Sequence, residues 1–283
     1  MTFPTCLTVG LAEEIQQLVR LGKPVEKFVG PLKSASLPGV VEYGSLRFSN
    51  PNIPKLPQAV WSSGIGTALQ LVRSPLGLRT TGTQREPPRS MAANECEFFV
   101  LEGSDPQEAQ PWHEFLLRFR QSCANVGFEM KKATGLGAAL HEMADNAVNH
   151  ADTMDGILVG YHVVQSAAVC CVADVGIGVL ASLSKCPSYQ HVRTHREAIR
   201  LALQSGVSRF VPNKGGYGFD QVFKSLTASF GTLRFRSGEG CVMMDGRDLE
   251  ADRGEEAFVL QRPGFQVTIC CRLSDRPDPV PLV

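Results

Sequence analysis

Three short segments of the chain hold residues whose types and spacing suit ligand chemistry. The first, HEMADNAVNHA from His141, sets Glu142, Asn146 and then Asn149 or His150 at i, i+4, i+7 and i+8. On a helix that spacing puts Glu142 and Asn146 on one face, where a carboxylate and an amide oxygen converge on one ligand. Asparagine is a poor residue for a helix interior, because its side chain competes for backbone hydrogen bonds, so Asn146 and Asn149 ask for an explanation. The second, VADVGIGV, ends an apolar run at Asp174 and follows it with Gly176 and Gly178. Glycine lets backbone approach a ligand closely, and a carboxylate at a strand end accepts hydrogen bonds from an amino group such as that of adenine. The third, NKGGYGFDQVFKS, places Gly215, Gly216 and Gly218 just before an apolar helix pattern, with Lys214 adding a charge. Free N–H groups at such a helix start suit phosphate.

Each segment also has a plainer reading: a solvent-facing polar stripe, an ordinary turn after a strand, and a loop with a glycine cap. The elements around them decide how they are positioned. Cys96 to Leu101 has a strand pattern, and Pro111 opens a helix with Phe115, Leu116, Phe119 and Cys123 on one face. A second helix over about 134–150 carries Leu136, Leu140, Met143, Ala147 and Val148 on its apolar side. Ile157 to Val164 and Ala167 to Ala173 read as paired strands joined by Gln165-Ser166. A long stretch follows, with a helix over about 194–204 and another starting near Tyr217. Late strands are expected at 232–236, 241–244, 257–260 and 265–273. Helices on one face of a mixed or antiparallel sheet make an α+β two-layer sandwich.

A Glu/Asn helix, two strands, Asp-x-Gly-x-Gly, a long lid and a glycine-rich helix start, in that order, resemble the N, G1 and G2 boxes of GHKL ATP-binding domains. No G-x-x-x-x-G-K-[ST] loop is present. The resemblance implies the Bergerat ATP-binding fold with ATP and Mg²⁺ as ligands. Asn146 would hold the magnesium, Asp174 the adenine amine, and Gly176 and Gly178 would shape the adenine end. Lys214, Gly215, Gly216 and Gly218 would wrap the phosphates. Glu142 matches the position that is usually Asn in histidine kinases and Glu in ATP-hydrolysing members and anti-sigma-type serine kinases, so it is the expected catalytic base. The layout resembles the anti-sigma-factor kinases most. His113 reads as a surface residue, and His150 divides evenly between nucleotide contact and helix packing. Phe219-Asp220 and the added segment THREAIRLALQSG depart from the family pattern. Arg193, Arg196 and Lys214 in or near that segment could meet a γ-phosphate, though charges on such a helix more often read as solvated.

The domain expectation is an N-terminal region over 1–76, a linker over 77–94 around the polar, proline-containing TTGTQREPPRSMAA, the ATP-binding domain over 95–273, and a frayed tail over 274–283. Within 1–76, 11–21 and 58–73 fit helices and 40–48 a strand, with no chemical motif. The 28 basic and 28 acidic residues cancel, so neither nucleic acid nor an anionic membrane is an expected partner. The nine cysteines show no Cys-x-x-Cys and no zinc spacing, and read as reduced thiols in a soluble, cytoplasmic protein without a signal peptide or membrane span. A regulatory protein partner fits, and a homodimer is compatible. Three functions stay open: a Mg-ATP-dependent serine/threonine kinase or ATPase, a nucleotide-gated interaction switch, and a regulatory domain with a decayed site.

Overall fold

The computed structural model describes residues 6–61, 95–101, 110–153, 156–204, 231–245 and 261–273. Its centre is a six-stranded sheet built from β3 (Glu95–Leu101), β4 (Ile157–Val164), β5 (Ala167–Ala173), β6 (Thr232–Ser237), β7 (Gly240–Asp245) and β8 (Phe265–Arg272). The order is β3-β4-β5-β8-β6-β7, and every neighbouring pair is antiparallel. β4 and β5 are joined by the two-residue turn at Gln165 and Ser166 that the sequence suggests.

One face of the sheet carries α5 (Gln110–Asn125) and α6 (Met130–His150). Their apolar stripes, including Phe115, Phe119, Leu136, Leu140 and Met143, close on Tyr161, Cys170, Val172, Ile269 and Cys271. The ring centroids of Phe115 and Tyr161 lie 5.2 Å apart, and those of Phe119 and Tyr161 5.0 Å, distances at which tilted aromatic pairs add to simple burial. α7 (Gly178–Ser184) and α8 (His195–Ala202) follow β5. Thr194 caps α8 in a reciprocal box with Glu197, and Ile199 anchors that helix to the core.

The opposite face is not left to solvent. The N-terminal elements are β1 (Cys6–Leu7), α1 (Val9–Arg20), α2 (Glu26–Val29), β2 (Ser34–Ala35), α3 (Leu37–Ser49) and α4 (Gln58–Trp61), with β1 and β2 paired in parallel. Leu37, Val40, Val41 and Tyr43 share a core with Phe98, Leu158, Val169, Cys171 and Cys270 of the sheet. The α+β class therefore stands, with three layers in place of two. Residues 6–61 form the third layer. Cys170 and Cys171, adjacent on β5, face the two different layers, as the alternation of a strand requires.

The strand expected at 40–48 is instead the helix α3. Ser36 caps it by accepting a hydrogen bond from Gly39 N–H at 3.2 Å, and Pro38 sits in its first turn, where a missing N–H costs nothing. Residues 37–46 are buried all round, so no polar stripe exists to reveal the helical period. The linker and the tail, the strand expected at 257–260, the helix expected from Tyr217 and the part of the 58–73 helix beyond 61 lie outside the described residues.

A buried ionic cluster ties the third layer to the sheet. Glu42 of α3 is fully buried and meets Arg234 and Arg262 directly and Arg236 at 3.4 Å. Arg234 also reaches Glu13 at 2.5 Å, Arg262 donates to the Glu42 carbonyl oxygen at 2.9 Å and to Gln16, and Arg236 donates to Ser45 Oγ at 3.2 Å. Burial alone would raise the Glu42 pKa, but the three guanidiniums more than offset it and hold the carboxyl well below the usual carboxylate range.

Candidate functional site

The site is assembled where the end of α6 meets the turn after β5. α6 ends at His150, and the next carbonyl, that of Ala151, accepts the N–H of Ile177 at 2.9 Å. A Cβ at Gly176 would overlap this same carbonyl, so only glycine lets the helix end and the turn approach so closely. Gly178 has φ +75° and opens α7, with Ser237 Oγ and the Gly264 carbonyl crowding the place where a Cβ would stand. Ser237 locks this junction: its Oγ accepts Val179 N–H at 3.0 Å and donates to the Gly264 carbonyl at 3.0 Å. Gly264, at φ +67°, donates its N–H to the Gly176 carbonyl at 2.7 Å. The two glycines that the sequence singled out thus have a steric reason, and Ala151, Ser237 and Gly264 complete the turn. Of these three, only Gly264 left a signal, as a glycine immediately before an apolar strand.

Asp174 sits at the centre of this turn, 1% exposed. Its Oδ1 accepts Gly176 N–H at 2.7 Å, while Oδ2 has no hydrogen-bond partner among the described residues. A buried carboxylate oxygen without a donor costs free energy of order 1–3 kcal/mol, which structure alone has no reason to retain. Burial pushes the Asp174 pKa up to about 7, against the lowering influence of the backbone at Gly176 and Phe265 and of Arg236.

The sign of the resulting pH dependence is definite. Between the ordinary value of 3.8 and about 7, the folded protein holds a proton on Asp174 that the unfolded chain has lost. Stability therefore falls as pH rises across that window and levels off above it, by roughly 4 kcal/mol if the whole shift is expressed. Asp174→Asn removes the slope while its Oδ1 still accepts Gly176 N–H. Thermal unfolding from pH 4 to 8 is expected to show the variant gaining on the wild type steadily, to about 2 kcal/mol or more by pH 8 once the unpaired amide is counted. A stability difference that does not change with pH would show that Asp174 is not the titrating group.

Glu142 and Asn146 both lie half-exposed on α6, one turn apart. Neither side chain forms a hydrogen bond or ion pair with another of the described residues. Asn149 differs, because its Nδ2 donates back to the Asp145 carbonyl at 3.0 Å on the exposed surface. His141 is an anchor: its Nδ1 accepts Trp112 Nε1–H at 2.9 Å, which fixes the rotation of α6 against α5. His113 is exposed, as expected, and His150 is half-buried. Arg193 is exposed, and Arg196 is half-buried on α8, which packs over the β6–β7 turn at Gly238 and Gly240. Lys214, Gly215, Gly216 and Gly218 lie outside the described residues.

Among the described residues no three His, Cys, Asp or Glu side chains gather as a metal site, and no helix is long and apolar enough to cross a membrane. A magnesium ion carried on phosphate oxygens does not need such a cage, since it keeps waters and takes one or two protein oxygens. The nine cysteines are all free thiols. Comparison with known proteins adds no assignment: no protein-family model, no curated protein and no solved structure matches the chain.

Proposed function

We propose that residues 95–273 bind Mg-ATP in the manner of the GHKL domains and transfer or hydrolyse its γ-phosphoryl group, as a regulatory serine/threonine kinase or ATPase. The observation that carries this reading is the buried Asp174 carboxylate. One of its oxygens is committed to the glycine turn and the other is left without a donor among the described residues. An exocyclic amine supplies that donor, and a guanine carbonyl at the same place does not. The docking of α6 on the turn, through Ala151 and Ile177, supports placing the Glu142 and Asn146 face beside the same ligand. The antiparallel sheet with α5 and α6 on one face supports a Bergerat-type sandwich, here with an added N-terminal layer.

In this reading Asp174 selects the base, and the close backbone at Gly176 and Gly178 lets the ring enter. Asn146 offers a hard amide oxygen to magnesium, and the ion neutralises charge developing on the phosphates. Glu142 orients a water or a hydroxyl and takes its proton, the positioning role on which phosphoryl transfer chiefly depends. Lys214, Gly215, Gly216 and Gly218 are assigned to the phosphates by the sequence resemblance. A regulatory protein in the cytoplasm is the proposed recipient or partner. The direct test is magnesium-dependent, adenine-selective binding that weakens in Asp174→Asn and Asn146→Ala.

A further inference from the structure

The sheet face turned toward the N-terminal layer carries buried polar atoms that the described side chains do not satisfy. Arg236 on β6 and Gln266 on β8 are directly opposite one another in the strand register, so their side chains leave the same face with Cβ atoms about 5 Å apart. Both are buried, at 0% and 1% exposure. The layer holds two nitrogens of Arg236: Nε lies 3.4 Å from a Glu42 carboxylate oxygen, and Nη2 donates to Ser45 Oγ at 3.2 Å. Arg236 Nη1 and both amide atoms of Gln266 have no hydrogen-bond partner among the described residues. Buried donors and acceptors left unpaired are costly, and native cores keep few of them.

The same cluster is short of negative charge. Its three guanidiniums, Arg234, Arg236 and Arg262, meet two carboxylates, the buried Glu42 and the half-exposed Glu13 at the rim. Cys241, opposite Arg236 on β7, adds none, because burial raises its pKa and keeps the thiol neutral. Burial pulls the Arg262 pKa down to about 10, Glu42 opposes the change, and the neighbouring Arg236 and Arg234 add to it. All three guanidiniums therefore stay charged at neutral pH.

We propose that Arg236 Nη1 and the Gln266 amide form a site for one small oxyanion that carries a hydroxyl, bicarbonate, enclosed between the sheet and α3. The hydrogen-bonding pattern selects the class. Arg236 Nη1 and Gln266 Nε2 donate to the anion's oxygens, Gln266 Oε1 accepts from its hydroxyl, and either orientation of the amide gives the same set. Chloride and nitrate have no donor for Oε1, and water has the donor without the charge. Short neighbouring side chains set the size, since Ala173 stands opposite Gln266 on β5 and Ser45 meets Arg236 from α3. The anion brings the cluster to charge balance and strengthens the hold of the N-terminal layer on β6 and β8. The site is independent of the nucleotide reading, because it lies among residues that reading does not use.

The test uses the full chain, exchanged into carbonate-free buffer, with bicarbonate then replacing chloride at constant pH and ionic strength. Wild-type Tm is expected to rise by about 5 °C at a hundredfold excess over Kd, while nitrate in place of bicarbonate gives no such rise. Equilibrium dialysis with labelled bicarbonate should find one anion per chain. Gln266→Leu should weaken that binding at least tenfold and remove the Tm response. Gln266→Glu supplies the missing charge covalently, so it should also lose the response but start from a higher Tm than Gln266→Leu. A wild-type protein that neither binds the label nor responds to bicarbonate would overturn the proposal and leave a pair satisfied by water only. So would a response that persists in Gln266→Leu, or a Gln266→Glu protein no more stable than Gln266→Leu.

Discussion

Glu42→Ala is expected to lower the stability of the protein by about 3–5 kcal/mol, the usual cost of removing one partner from a buried ion pair. The magnitude follows from what the deletion leaves behind. Arg234 and Arg236 are 5% and 0% exposed and Arg262 2%, and among the described residues only Glu13, half-exposed at the rim, remains to balance them. At this chain length the change corresponds to a fall in Tm of roughly 10 °C, and thermal unfolding checks it. Glu42→Gln should fall between, because its amide keeps an acceptor for one guanidinium while the charge is lost. A Tm within a degree or two of wild type in Glu42→Ala would mean that the third layer is not clamped through this carboxylate. The cluster is not a sign of exceptional stability, since buried ion pairs roughly repay their desolvation. What it supplies is register, since Arg234 and Arg236 can meet Glu42 only when α3 lies across β6 in one position.

The second large effect is on turnover. Glu142→Gln preserves shape and hydrogen-bonding reach but removes the proton acceptor, so phosphoryl transfer or hydrolysis should fall by about 10²–10⁴-fold, the range of general-base contributions. Glu142 is half-exposed and engaged in no ion pair or hydrogen bond among the described residues, so the substitution should leave the fold and ATP affinity nearly unchanged. A loss confined to turnover is the signature of an interaction made only in the transition state. Single-turnover phosphate release with ATP and magnesium measures it. Turnover surviving in the variant would place the base elsewhere. A protein with no turnover in either form, whose partner binding still responds to ATP, would be a nucleotide-gated switch.

The site's frame was legible in the sequence where periodicity and turn chemistry were undisturbed. α6 showed itself through Leu136, Leu140, Met143 and Ala147, all of which are buried, and through the unusual asparagines opposite them. Asp174 was legible as the polar end of an apolar strand followed by spaced glycines. The third layer was not. α3 is buried on all sides, so VVEYGSLRF offers no amphipathic stripe and its β-branched and aromatic residues imitate a strand. Glu42 looks like one more polar residue because its partners Arg234 and Arg262 lie 192 and 220 residues away. A signal for the layer did exist: AAVCCVA in β5 lacks the polar alternation of a strand with one wet face, and all seven residues are buried. Arg236 had no local mark, since a charged residue in a strand reads as facing water until another layer is known to cover it.

The measurement that bears most directly on the central claim is calorimetric titration of the full chain with ATP, ADP and GTP, with and without magnesium, beside Asp174→Asn and Asn146→Ala. Magnesium-dependent binding of ATP over GTP is expected. Asp174→Asn should weaken it at least tenfold, as loss of a hydrogen bond to a charged group does, and Asn146→Ala should abolish most of the magnesium effect. Failure of the folded wild-type protein to bind any of the three nucleotides would contradict the account.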